Sequence, residues 1–305
     1  MRETKSTESP KLSVIVASNV GPPFIDDCLA SLEKEAMALG AEVIVVACGT
    51  TEYSARIQQN FPWVRVIQHS QREGVPALRR LGVEEAKGDI VAIIEEHCLA
   101  GNNWLRRALS EHMRGDYGAV GGPIADNGYK RLRDWVVYFC EYNGSLPPAP
   151  DGEVRDLNGA NIAYKQQLLM DHKHLLEEGY WEASLHPVLL AKGVRFLSVP
   201  DMVIYHRGPF NLGYYLKQRY WFSRAFAGAR AKTLPPSRRV AYLVAAPLVP
   251  AILLVRMTWR VWQKRCRVGK FIQSLPLLIP ALMGFVAGEW VGYLAGPGDA
   301  LSRVE

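Results

Sequence analysis

The sequence has few cysteines for its 305 residues, and they are not spaced as metal ligands or as a disulfide framework. There is no Cys-x-x-Cys pair among Cys28, Cys48, Cys98, Cys140 and Cys266. This spacing excludes a zinc ribbon or zinc finger and argues against a disulfide-stapled fold. We therefore predict that the thiols are reduced and mostly buried.

The start of the chain lacks the apolar run of a secretory signal peptide, since it reads MRETKSTESPK. We expect residues 1–10 to be a disordered leader. The sequence also lacks a glycine-rich Walker loop. That absence argues against a nucleotidyltransferase built on a similar sheet.

No Asp or Glu occurs from Arg207 to Lys270, a stretch that contains 14 Lys and Arg. Residues 1–206 are acidic by comparison, with 21 basic and 27 acidic side chains. A strongly basic stretch favours an anionic partner. Its tyrosines, tryptophans and apolar runs favour an anionic membrane surface, so we expect no nucleic-acid partner.

Strand and helix patterns alternate through the first 94 residues. Apolar runs at 12–17, 42–47, 64–67 and 90–94 are typical of buried strands, and segments with helical spacing separate them. This alternation predicts a parallel α/β sheet with right-handed crossovers.

The fourth apolar run ends in Glu95-Glu96-His97. In open α/β sheets, the chemistry lies just beyond the carboxyl ends of the strands. Carboxylate oxygens and an imidazole nitrogen together suit a divalent first-row metal, which makes this a candidate metal site. The alternative is a solvated polar turn that binds no metal.

The order of motifs resembles the family 2 glycosyltransferases of the GT-A fold over residues 11–232. The segment from Gly74 to Gly82 is similar to the family's glycine and the Ala-Arg-Asn-x-Gly helix that follows it. Glu95-Glu96-His97 stands at the family's Asp-x-Asp position, and Gly159 to Tyr164 resembles its Gly-x-Asn-x-Ala-aromatic segment. The resemblance implies a Rossmann-like, mainly parallel mixed sheet flanked by helices, and a nucleotide-sugar donor.

The resemblance also implies roles for individual residues. Glu182 is the expected catalytic base, the alternative being a carboxylate that only stabilises a helix N-terminus. The expected ligands of a divalent metal, Mn²⁺ or Mg²⁺, are Glu95, His97 and His206, and the alternative for His206 is a surface group. The residues expected to bind the donor are Ser18, Asn19, Gly49, Arg79, Glu95, Glu96 and Asn161, with a turn-forming role as the alternative for Asn161. The residues expected near the acceptor or the membrane are Trp181, Gln218, Arg219 and Trp221.

The sequence departs from the family pattern in two segments that bear on donor and metal binding. The second strand ends in Ala47-Cys48-Gly49-Thr50-Thr51, so it lacks the family's first Asp, which helps to hold the nucleotide base. The metal motif is Glu-Glu-His, which still suits Mg²⁺ or, through its imidazole, Mn²⁺. Gln218-Arg219-Tyr220-Trp221 differs in order from the Gln-x-x-Arg-Trp of processive polysaccharide synthases, which predicts a non-processive enzyme.

We divide the chain into a GT-A domain at 11–206, a basic aromatic interfacial helix and linker at 207–239, and a membrane-associated region at 240–305. The apolar run 240–255 is short and contains two prolines, which favours a re-entrant or interfacial segment. Residues 271–296 are long enough for a transmembrane helix. The alternative for the basic helix is a surface helix packed on the domain.

Taken together, these patterns predict an inverting, metal-dependent hexosyltransferase on the cytoplasmic face of a membrane. It would move one sugar from a nucleotide sugar to a lipid-linked acceptor or a polysaccharide precursor. The alternative is a catalytically degenerate relative that serves as a membrane-anchored binding or assembly subunit.

Overall fold

The computed structural model describes residues 11–71, 73–177, 179, 181–208 and 211–304. The predicted leader, residues 1–10, lies outside the described residues. Four parallel strands open the chain and alternate with helices, as the apolar pattern predicts. They are β1 (Leu12–Ser18), α1 (Phe24–Leu39), β2 (Glu42–Cys48), α2 (Thr51–Asn60), β3 (Arg65–His69), α3 (Val75–Glu85) and β4 (Ile90–Ile94).

The large sheet is mixed because one strand enters it in the opposite direction. This strand, β9 (Asn161–Lys165), pairs antiparallel with both β4 and β6 (Ala119–Gly121). The edge beyond β6 is formed by β10 (Phe196–Ser198) and β8 (Gly152–Val154). The strand order is β3-β2-β1-β4-β9-β6-β10-β8, and the predicted α/β class with flanking helices is confirmed.

A small second sheet brings two distant segments together at the end of β4. It contains β5 (Cys98–Ala100), β7 (Ile124–Asp126) and β11 (Ile204–His206). In this sheet His206 lies opposite Cys98 in register, one residue from His97. The remaining elements before residue 208 are α4 (Trp104–Arg114), α5 (Leu132–Tyr142), α6 (Gln166–Asp171), α7 (Lys173–Glu177), a π-helical turn at Trp181–Leu185 and α8 (His186–Ala191).

The C-terminal part is helical. It contains α9 (Leu212–Thr233), α10 (Pro236–Ala245), α11 (Val249–Lys264) and α12 (Val268–Ala295), with 3-10 turns at Ala246–Leu248 and Ala300–Arg303. Two stretches, Pro236–Lys264 and Val268–Ala295, are long and apolar enough to cross a membrane.

One face of α12 packs on the rest of the protein along its length. Near its start, the rings of Phe271 and Phe139 of α5 meet edge to face at 5.1 Å. Farther along it crosses α9 so closely that a Cβ atom at Gly288 would lie 2.4 Å from the carbonyl oxygen of Tyr220. The hydrophobic core on one side of β1, which contains Val14 and Val16, includes Phe271 and Tyr215, so it continues across the predicted boundary at residue 206.

The opposite surface of the C-terminal helices is apolar and exposed. On and next to α11, five exposed side chains recur every three or four residues and form what we call the apolar stripe: Leu248, Ile252, Val255, Trp259 and Trp262. On α12, the exposed apolar side chains are Ile272, Ile279, Met283, Trp290 and Leu294. Exposed apolar surface of this extent is typical of a membrane or protein contact.

Candidate active site

A cavity of about 760 Å³ opens at the carboxyl ends of β1 and β4. Its walls come from α3, α5, α9 and α11 and from the segment 154–160. The sequence places polar groups at its floor, because β1 and β4 are largely apolar and polar residues occur where each strand ends. Cavities of this size, with a few polar groups at the strand ends, are typical ligand sites of open α/β sheets.

Glu95 is the centre of a hydrogen-bonded network on the cavity floor. Its Oε1 atom lies 3.0 Å from Nη2 of Arg79. Its Oε2 atom accepts a hydrogen bond of 2.8 Å from the hydroxyl of Tyr142 and lies 3.1 Å from Nε2 of His97. The structure therefore brings together three residues that were predicted for this site and adds Tyr142.

The ionisation of Glu95 and His97 follows from this network. Burial by itself would raise the pKa of Glu95, but the hydrogen bond from His97 and the charges of His97 and Arg79 outweigh it. The pKa of Glu95 therefore lies well below its usual value. Burial would lower the pKa of His97, whereas Glu95 and the neighbouring carboxylates raise it overall. Without a metal ion, the two residues form an ion pair.

His206 completes the histidine side of the site. Its ring meets that of His97 edge to face, with centroids 5.0 Å apart. Its Nδ1 atom is hydrogen-bonded to the hydroxyl of Tyr129. Burial and the nearby charge of His97 hold the pKa of His206 well below its usual value. His206 is therefore neutral, which is the form in which an imidazole ligates a metal.

The donor atoms at this edge fit a divalent cation. Glu95, His97 and Cys98 each offer one ligand atom, and these atoms lie within 4.8 Å of one another. Burial and the charge of Glu95 raise the pKa of the Cys98 thiol well above its usual value. Since Mg²⁺ and Mn²⁺ prefer oxygen and nitrogen ligands, Glu95 and His97 are the better donors, with His206 beside them.

Glu96 binds the loop after β1. Its Oε1 atom accepts 2.7 Å hydrogen bonds from the backbone N–H groups of Asn19 and Val20. Its Oε2 atom accepts from the Ser18 hydroxyl at 2.7 Å and from the Gly21 N–H at 3.0 Å. The donor contacts predicted for Ser18, Asn19 and Glu96 stay predictions, and here Glu96 fixes the end of β1 and the loop that follows it, which contain the other two.

Two other predicted donor-binding residues lie away from the cavity surface. Asn161 is fully buried, and its Nδ2 atom donates to the carbonyl oxygens of Pro123 and Met202 at 2.9 and 2.7 Å. Its Oδ1 atom accepts a 2.7 Å hydrogen bond from Trp104 Nε1. Gly49 follows β2, and its N–H donates to the carbonyl oxygen of His69. The structure thus gives Asn161 a role in joining the two sheets, and its donor contact stays a prediction.

Glu182 lies in the π-helical turn and faces the cavity. Its Oε1 atom lies 3.8 Å from Nη1 of Arg79, so one guanidinium lies between Glu182 and Glu95. The carboxylate packs on Gly159, where a Cβ atom would lie only 1.5 Å from Oε1. The predicted base and the Gly159–Tyr164 segment therefore meet at one point of the cavity.

Two of the residues predicted near the acceptor line the cavity. Gln218 and Arg219 are buried and line the cavity. Arg219 pairs with Glu141 at 2.8 Å. The guanidinium of Arg303 lies over the ring of Trp221, with its Cζ atom 4.6 Å from the ring centroid. The side chain of Trp181 lies outside the described residues.

Reasoning from the sequence missed Tyr142, Glu141 and the basic residues of α11. Tyr142 and Glu141 belong to an aromatic helix in which nearly every position is buried, so apolar spacing does not mark a functional face. The α11 residues Arg256, Arg260 and Lys264 line the cavity. Their spacing of four was visible in the sequence, but their position beside the strand ends depends on how the helices fold back.

Comparisons with known proteins agree with this geometry. A family model described as Glycosyl transferase family 2 matches residues 13–172, a little more than half of the chain. Among curated proteins, a glucosyl-dolichyl phosphate glucuronosyltransferase of Haloferax volcanii is 27% identical over 141 residues, 43% of this chain and 44% of that protein. An uncharacterized glycosyltransferase, EpsJ of Bacillus subtilis, is 26% identical over 67% of this chain and 55% of its own length. The chain thus spans about half of the length of these two relatives.

Among solved structures, the mannosyltransferase PcManGT from Pyrobaculum calidifontis, in complex with GDP-Man and Mn²⁺, has the same fold. It matches with a TM-score of 0.53 and 18% identity, over 98% of this chain and 86% of that one. The mixed sheet and its flanking helices are those of the GT-A fold, as the sequence predicted.

Proposed function

Because the chain belongs to glycosyl transferase family 2 and is therefore a glycosyltransferase, we propose that it transfers one sugar from a nucleotide sugar to a membrane-associated acceptor. The acceptor is lipid-linked or a polysaccharide precursor, and the reaction inverts the anomeric centre. The observation that carries the proposal is the placement of Arg79 between Glu95 and Glu182. Arg79 thereby links Glu95, at the edge proposed to bind a metal ion and the diphosphate, to Glu182, the proposed base.

Glu182 acts in this proposal as the general base. It takes the proton of the acceptor hydroxyl as that oxygen attacks the anomeric carbon and the nucleoside diphosphate leaves. A single displacement of this kind inverts the configuration. Gly159 supports the role, because it leaves room for the carboxylate and Glu182 can face the cavity.

The diphosphate side of the site is proposed to use Glu95, His97 and His206 as ligands of Mn²⁺ or Mg²⁺. Such an ion, when bound, would neutralise the negative charge that develops on the leaving diphosphate. The Mn²⁺ complex of the Pyrobaculum structure supports this assignment by analogy. Ser18, Asn19, Gly49, Arg79, Glu96 and Asn161 are the proposed donor-side residues, with Glu96 and Asn161 acting through the loops that they fix.

The acceptor is proposed to reach the cavity from a membrane. The apolar stripe and the exposed face of α12 support binding to a bilayer, and the dolichyl-phosphate relative supports a lipid-linked acceptor. Trp181, Gln218, Arg219 and Trp221 are the proposed acceptor-side residues. The predicted cytoplasmic location of the catalytic part belongs to the same proposal.

One observation favours the alternative, a degenerate relative that binds without turnover. Both oxygens of Glu95 already have protein partners, Arg79 on one side and His97 with Tyr142 on the other. A metal ion must displace some of these contacts. If no metal ion displaces the partners of Glu95, the site lacks the charge of a metal ion to stabilise the leaving diphosphate. The protein would then serve as a membrane-anchored binding or assembly subunit.

The test is a screen of nucleotide sugars by thermal shift with Mn²⁺ and the full chain, followed by a transfer assay with the donor that binds. Wild type should transfer the sugar, and Glu182→Gln should bind the donor equally but lose transfer by about 10²- to 10⁴-fold. Wild-type turnover by Glu182→Gln would remove it as the base. Donor binding without transfer by wild type would support the degenerate relative.

A further inference from the structure

Three cations line one wall of the cavity at successive turns of α11. They are Arg256, Arg260 and Lys264, which we call the cation row. Lys264 follows Arg256 by eight positions, so the row extends for about 12 Å along the helix axis. It lies on the wall formed by a C-terminal helix, beside the loop that contains Asn143 and Leu146.

The cation row differs in its partners from Arg79 and Arg219, two other cations that line the cavity. Arg79 and Arg219 have carboxylates at 3.0 and 2.8 Å. Within the part of the chain that the structure describes, no carboxylate oxygen lies within the 4.0 Å salt-bridge distance of the cation row. Instead, Arg260 donates to the side-chain oxygen of Asn143, and Lys264 donates to the carbonyl oxygen of Leu146. Arg260 and Lys264 are therefore positioned by neutral acceptors, and no ion pair among the described residues neutralises the charge of the row.

The charges in the row also repel one another. The positive charge of Arg256 repels that of Arg260, and the charge of Arg260 repels that of Lys264. Asp156 attracts Arg260, but its carboxylate lies 2.8 Å from Nδ1 of His186. Like charges held together in a concave site attract an anion, and a phosphate group has enough oxygens for several charge-assisted hydrogen bonds.

The same helix carries the apolar stripe. With 3.6 residues per turn, the centre of the cation row lies roughly a third of a turn from the centre of the stripe. Arg256 follows Val255 directly, and Arg260 follows Trp259. A ligand with an anionic head and a hydrocarbon tail would thus meet cations on the cavity side and apolar side chains on the outer side of one helix.

We propose that the cation row binds the phosphate of a long-chain lipid phosphate, with its hydrocarbon tail along the apolar stripe. The inference rests on the proposed function, because it identifies the acceptor of that reaction as a phosphorylated lipid. The row places the phosphate at the cavity wall, and the acceptor hydroxyl, which belongs to the group that the phosphate joins to the lipid, is directed towards Glu182. One helix, α11, would thereby bind the phosphate with one face and contact the membrane with another.

The test measures binding apart from turnover. Farnesyl phosphate, farnesol and inorganic phosphate are each titrated calorimetrically into the full chain in detergent. We expect farnesyl phosphate to bind wild type more tightly than either other probe. Arg256→Gln/Arg260→Gln should lower its affinity by about tenfold or more, because each arginine supplies a charge-assisted hydrogen bond. Arg256→Lys/Arg260→Lys should retain part of the affinity, which shows that the site is intact.

The matched control is Lys232→Gln/Arg238→Gln, which removes the same charge from exposed positions outside the cavity. It should leave farnesyl phosphate affinity unchanged. Equal affinity in wild type and the Arg256/Arg260 variant, or an equal loss in the control, would overturn the proposal. Equal affinity for inorganic phosphate and farnesyl phosphate would overturn the lipid assignment. Because none of these titrations needs a donor, a failure of sugar transfer would be recognised separately.

Discussion

The Glu182 carboxylate occupies the space that a side chain at Gly159 would need. A Cβ atom at residue 159 would lie 1.5 Å from Oε1 of Glu182 and 3.1 Å from Nη1 of Arg79. The backbone at Gly159 thus sets how close the segment 157–160 comes to the proposed base. The glycine at this position is explained by the cavity and not by an unusual backbone conformation.

Gly159→Ala should therefore reduce transfer while leaving the fold intact. The added methyl group must displace the Glu182 carboxylate, and a displaced base loses its contact with the acceptor hydroxyl. We expect kcat to fall by about 10²-fold or more, with a small change in the KM for the donor. The control is Gly269→Ala on α12, where a Cβ atom has no neighbour within 4 Å. Equal kcat values for the two variants would contradict the proposed role of Glu182.

Glu96→Gln should destabilise the protein. The carboxylate accepts four hydrogen bonds from residues 18–21, and an amide can replace only one of its two oxygens as an acceptor. Leaving buried N–H groups unpaired should lower the free energy of unfolding by about 2 kcal/mol or more, measured by denaturant titration in detergent.

The control for Glu96 is Glu84→Gln, which loses ion pairs to Arg80 and Lys173 on a more exposed surface. Its free energy of unfolding should change by less than about 1 kcal/mol. If the two variants are equally stable, the loop after β1 does not depend on Glu96.

His97→Ala should weaken the metal-dependent binding of a nucleoside diphosphate. The substitution removes one proposed ligand and also one partner of Glu95. We expect the affinity for GDP or UDP in the presence of Mn²⁺ to fall by about tenfold or more in a calorimetric titration. His174→Ala, at an exposed position on α7, should keep wild-type affinity. A metal-dependent affinity that His97→Ala leaves unchanged would remove His97 from the metal site.

Trp259→Lys/Trp262→Lys should weaken binding to lipid vesicles. Both side chains are exposed on the apolar stripe, and each contributes roughly 1.5–3 kcal/mol if fully buried in a bilayer interface. Sedimentation with vesicles of a neutral lipid, to which the added lysines are not attracted, should show a partition coefficient lower by about tenfold or more. Met37→Lys/Met113→Lys changes two exposed apolar residues on α1 and α4 and should leave the partition coefficient unchanged. An equal loss in both variants would contradict a membrane contact through α11.

The parts of the fold that depend on local pattern could be predicted from the sequence. The runs at β1, β2 and β4 are buried at nearly every position, as their mostly apolar composition predicts. The polar run after β4 marks the cavity floor because the strand brings it to the sheet edge. Glu95 and His97 are two residues apart, so their approach also follows from local structure.

The parts that depend on distant packing could not be predicted in the same way. Tyr142 reaches Glu95 across 47 residues of sequence, and its helix has no polar face that would indicate this contact. The role of Glu96 depends on four donors in a loop 75 to 78 residues earlier. The family resemblance predicts donor binding by Asn161, whereas two of its three hydrogen bonds are to carbonyl groups beside a second sheet that strand patterns did not predict.

The contact between α9 and α12 has a consequence for the order in which the chain is assembled. A Cβ atom at Gly288 would lie 2.4 Å from the carbonyl oxygen of Tyr220, and one at Gly292 would lie 2.6 Å from that of Arg224. The contacts advance by four residues on both helices, so the two helices run parallel where they meet. These partners are 68 residues apart in sequence. At ordinary rates of synthesis, α9 waits roughly 3–14 s before its partner emerges. During that interval the apolar stretch Pro236–Lys264 is synthesised, so its contact with a membrane can precede the packing of α12 on α9.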